Sequence, residues 1–77
     1  MMERSEAVPD MTPVDSSSLL QVGYDADSQE LHVEFKEGRT YVYSPVPETT
    51  YQELLDADSK GSYFNREIKP NYDCHPL

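Results

Sequence analysis

Lys60, Arg66 and Lys69 are half of the six cations in a 77-residue chain that carries fifteen carboxylates. Between Lys60 and Lys69 only Glu67 opposes them, so this stretch is +2 in a chain of −9, which leaves −11 for the remainder. The strip begins at Ser59, Lys60, Gly61 and Ser62. Hydroxyls, backbone N–H groups at a helix start and cations on the following turns together suit a phosphate group. Tyr63 stands beside these charges as a ring able to stack on a base. A plainer reading makes Ser59 an ordinary helix cap, Gly61 a packing contact and the cations partners of nearby carboxylates.

The second candidate cluster is Tyr41-Val42-Tyr43. Two tyrosines at a spacing of two share one face of a strand, either as a stacking platform for single-stranded nucleic acid or as core rings bonded at their hydroxyls. No metal or cofactor is expected. Asp25-Ala26-Asp27 begins like a calcium loop, but Glu30 stands where such loops place glycine and Lys36 where they place the bidentate glutamate. Asp73, Cys74 and His75, even with His32, lack the spacing of a metal site. No motif sets a nucleophile beside a base, so the chain reads as a non-enzyme.

Short elements must position these residues. Leu20, Val22 and Tyr24 alternate as one face of a first strand, and Asp25 to Ser28 is turn chemistry. Leu31, Val33 and Phe35 form one face of a second strand, with His32 and Glu34 opposite. A two-residue turn at Glu37-Gly38 would force a positive φ on Glu37. A three-residue loop, Lys36-Glu37-Gly38, needs it only of the glycine. That loop pairs Val33 with Tyr41 and Leu31 with Tyr43 and turns both tyrosines toward the core. Pro47 suits a helix start, and Tyr51, Leu54 and Leu55 share the apolar arc of a helix running to about Ala57. Ser59 caps a second helix that reaches about Ile68 and stops by Pro70. On it Gly61, Phe64 and Ile68 lie on one side. Asn71 to Leu77 reads as irregular.

The expected fold is therefore α+β: a small antiparallel three-stranded β-meander followed by two short α-helices packed on one face. Residues 1–13 read as a disordered leader and residues 14–77 as a single domain. The acidic balance, with a pI near 4.3, repels phosphate backbones except where cations gather. A lone cysteine, no signal-peptide pattern and no apolar run near the roughly 20 residues of a membrane span point to the cytoplasm and away from membranes.

Gly23-Tyr24-Asp25, Val33-Glu34-Phe35, Tyr41-Val42-Tyr43, Val46-Pro47 and Ser59-Lys60-Gly61-Ser62-Tyr63-Phe64-Asn65 occur in an order that resembles the KTSC domain. The resemblance covers roughly Ser16 to Tyr72. That domain is named for the C-terminus of some lysyl-tRNA synthetases and is also found as small stand-alone bacterial proteins, with Tyr41 and Tyr43 matching its central Tyr-x-Tyr. The synthetase context implies contact with RNA. The expectation is a small non-enzymatic binding module that takes RNA or another phosphate-bearing ligand on Ser59, Lys60, Gly61, Ser62, Tyr63, Arg66 and Lys69. The alternative is an acidic protein-protein interaction module that docks on a basic protein partner or mimics nucleic acid as an inhibitor.

Overall fold

The computed structural model describes residues 10–77, so most of the expected leader lies outside the described residues. Among the described residues five strands follow one another as a fully antiparallel meander: β1 (Thr12–Pro13), β2 (Leu19–Asp25), β3 (Glu30–Phe35), β4 (Thr40–Ser44) and β5 (Asp73–Pro76). Between β4 and β5 the chain forms α1 (Glu48–Asp56) and α2 (Lys60–Tyr63), the latter continuing as a π-helical segment, Phe64–Ile68.

Three strands were expected, and the two extra ones lie at the sheet edges. Thr12 pairs with Val22, so the expected leader ends in a strand, and Asp73–Pro76 pairs along β4 where an irregular tail was expected. Both strands are exposed throughout. Backbone pairing rather than a buried apolar face makes them strands, and it leaves no apolar alternation in the sequence.

The central register follows the turn chemistry. Gly38 takes φ 105°, the Phe35 N–H donates to Arg39 O at 2.8 Å, and Val33 and Leu31 pair with Tyr41 and Tyr43. The first strand departs from simple alternation. A bulge between Leu19 and Gln21 turns Leu19 into the core and leaves Leu20 43% exposed, the reverse of the expected facing. One extra residue in a bulge reverses the facing of everything before it.

Leu19, Val22, Leu31, Val33 and Tyr43 form the sheet's share of the core, and Val46, Leu54, Phe64 and Ile68 close over it. Pro47 serves as the cap of α1 rather than its first residue, and its carbonyl accepts from the Thr50 and Tyr51 N–H groups. The Lys69 N–H reaches back five residues to Phe64 O at 2.9 Å, the widened turn that keeps both Phe64 and Ile68 buried. On the opposite face of the sheet His32 and Val42 are also buried, at 5% and 2% exposure.

Candidate functional site

The start of α2 is consumed by packing. Ser59 Oγ accepts from the Ser62 N–H at 3.3 Å, as a cap should. A Cβ at Gly61 would lie 3.2 Å from both Ser16 Oγ and Ser18 Oγ, so the glycine lets the helix approach the β1–β2 loop, not the sheet itself. Ser16 Oγ is already committed to the Ser18 and Leu19 N–H groups. Lys60 Nζ donates to Ala57 O at 3.1 Å. Asp15 and Asp58 line the same depression, so two carboxylates oppose any anion that would settle there.

Tyr63 and Arg66 face α1. The Tyr63 hydroxyl donates to Glu53 Oε1 at 2.9 Å, and the Arg66 guanidinium sits 5.9 Å from the Tyr63 ring centre and donates to Glu67 Oε2 at 3.1 Å. Burial first, and then the Glu53 carboxylate, push the Tyr63 phenol up to about 12. Glu53, Asp56 and Asp58 share this surface and offset the arginine.

Lys69 lies elsewhere. It lines a groove of about 630 Å³ whose other contributors include Lys36 in the β3–β4 turn, Phe35, Tyr41, Asn65 and Ser18. The Lys36 N–H donates to Ser18 O at 2.9 Å and fixes this wall to the β1–β2 loop. Among the described residues Glu37 is the one carboxylate in the lining, and neither Lys36 nor Lys69 forms an ion pair. Tyr43 forms the floor at 4% exposure, with Phe64 edge-on at 5.2 Å. Its phenol is pushed up to about 12 by burial and by contact with Cys74 on β5. Tyr41 is half-buried and keeps part of its ring toward the groove.

The antiparallel sheet thus carries the Tyr-x-Tyr on β4, and the Ser59–Asn65 segment packs over it through Phe64. Residues 15–72 match the KTSC domain. The chain belongs to the KTSC domain family. The crystal structure of a KTSC domain protein from Yersinia pestis superposes with a TM-score of 0.83 at 39% identity, covering 88% of this chain and 96% of that one. A protein of Stutzerimonas stutzeri is 49% identical over 57 residues, 74% of this chain and 80% of its own length. A lysine–tRNA ligase of Nostoc punctiforme is 36% identical over 71 residues, which is 92% of this chain but 12% of that protein.

In this KTSC domain the residues expected to form one site divide among three places. Ser59, Lys60, Gly61 and Ser62 meet the β1–β2 loop, Tyr63 and Arg66 meet α1, and Lys69 joins the groove beside Tyr41 and Tyr43. Lys36, Phe35 and Asn65 were not anticipated as site residues. The signal for Lys36 was present, because the three-residue loop that fixes the tyrosines also places Lys36 at the end of their strand pair. Among the described residues no cluster of His, Cys, Asp and Glu gathers as metal ligands, and no helix is long and apolar enough to cross a membrane.

Proposed function

We propose that this KTSC domain is a non-enzymatic binding module that holds a phosphate-bearing, base-carrying ligand, single-stranded RNA, in the groove between the β3–β4 turn and the end of the second helix. One observation carries the reading: two lysines that form no ion pair among the described residues line the same groove as the half-buried Tyr41 ring. Cations for phosphate and an aromatic surface for bases are the two parts of a single-strand site. The similarity to a lysine–tRNA ligase, a protein named for its action on tRNA, supports the same class of ligand. The expectation from sequence ran along the second helix from Ser59 to Lys69, and of those residues the proposed site keeps Lys69 at the helix end.

The remainder of the molecule is acidic and repels RNA, so attraction is confined to short range. The test is a titration of labelled single-stranded RNA at low and at moderate salt. Weak binding is expected, with a shallow salt dependence that corresponds to about one or two phosphates. Absence of binding at low salt would reject the reading in favour of an acidic module for a basic protein partner.

A further inference from the structure

Phe35 and Tyr41 are both half-buried and both line the groove, and their rings meet edge to face, with centres 5.9 Å apart and planes at 73°. A run of stacked bases keeps its rings parallel, and a strand-tracking surface offers successive faces in similar orientation. Two rings near a right angle form a corner instead. A corner admits one planar ring, stacked on one wall with its edge against the other. The surroundings also limit the space. Ser17 and Ser18 close one side, Cys74 of β5 closes another, and the volume of about 630 Å³ falls within the roughly 300–1,000 Å³ usual for sites that hold one small molecule. Lys36 approaches from the β3–β4 turn and Lys69 from the end of the helix, so two cations from separate elements share one lining. Asn65, exposed on the same lining, carries an amide with both donors and an acceptor.

We infer that the groove is a single-nucleotide site: one base in the corner of Phe35 and Tyr41, its phosphate on the ammonium groups of Lys36 and Lys69, and Asn65 placed to bond the base edge or the ribose. This deepens the reading above and rests on it. An RNA strand would then be held at one nucleotide, an end or an unstacked base, rather than along its length.

The experiment titrates the full chain with adenosine 5′-monophosphate, ribose 5-phosphate and a hexa-adenylate RNA at low salt, followed by amide chemical shifts. The monophosphate should bind and shift Phe35, Tyr41, Asn65 and Lys69. Ribose 5-phosphate should bind roughly tenfold more weakly or worse, the loss of one base–aromatic stack. The hexamer should bind within about tenfold of the monophosphate, because only one unit engages at a time. Tyr41→Leu, which keeps an apolar side chain at this half-buried position, should lower monophosphate affinity toward that of ribose 5-phosphate. A hexamer bound a hundredfold more tightly than the monophosphate would overturn the single-nucleotide site and leave the RNA reading standing. Failure of both nucleotides to bind would overturn the two together.

Discussion

The two ends of the second helix belong to one cationic strip, Lys60 to Lys69, but differ in what their polar groups face. At the start, the Ser59 hydroxyl, the Lys60 ammonium and the Gly61 backbone are all engaged with neighbouring protein groups, and Asp15 and Asp58 lie alongside. At the end, Lys69 meets Lys36 across aromatic rings with one carboxylate in the lining. Both ends of the strip carry a net single positive charge in the sequence, which does not distinguish them. The difference shows that a cation near a helix start is a weak sign of an anion site when the adjoining loops bring acids to it. A groove collects cations from elements far apart in sequence.

The largest effect expected is at Phe64, which packs edge-on against both Phe35 and Tyr43 and joins the two ends. Phe64→Ala should cost about 3–5 kcal/mol, a large part of the roughly 5–10 kcal/mol available to a domain of this size. Denaturant unfolding measures it. A cost under about 1 kcal/mol would mean that the groove floor is not part of the core.

Gly61→Val tests the helix start. Its side chain would press on Ser16 Oγ and Ser18 Oγ, and Ser16 cannot turn away without releasing two backbone N–H groups. A loss of about 1–3 kcal/mol is expected, as for overpacking elsewhere. RNA affinity should fall by no more than about a few-fold at temperatures where the variant is folded, because of the groove lining only Ser18 is pressed. Unchanged stability combined with lost RNA binding would return the site to the helix start.

Alkaline titration separates the same regions more gently. The Tyr43 and Tyr63 phenols are pushed up to about 12 from an ordinary value of 10.0, so the folded chain holds these protons more tightly than the unfolded chain. Their contribution is complete below pH 10 and is lost as pH rises from about 10 to about 12. Tyr43→Phe should flatten this decline more than Tyr63→Phe, because Tyr43 is buried while Tyr63 is only half-buried and solvent screens its partners. Unfolding midpoints at pH 9, 10 and 11 provide the check, and parallel curves for wild type and Tyr43→Phe would deny Tyr43 the role.

Local rules that involve few atoms were legible in the sequence. The tolerance of Gly38 for a positive φ set the β3–β4 loop and with it the facing of Tyr41 and Tyr43, and Ser59 capped its helix. Features decided by distant partners were not legible. The bulge that exchanges Leu19 for Leu20 follows from the fit of β2 against β3 rather than from any local preference. The edge strands β1 and β5 exist because their neighbours offer unpaired backbone groups. The division of Lys60, Arg66 and Lys69 follows from how α2 and its π-helical extension sit over the sheet, which no one-dimensional charge pattern contains.

The central claim is that the groove end of the helix, and not its start, receives the ligand. Two double variants test it most directly, Lys36→Glu with Lys69→Glu against Lys60→Glu with Arg66→Glu, since each pair changes the net charge equally. Titrated with the same labelled single-stranded RNA at low salt, the first pair should abolish binding, and the second should weaken it only by the long-range repulsion that salt screens. Loss of binding in the second pair with retention in the first would contradict the account.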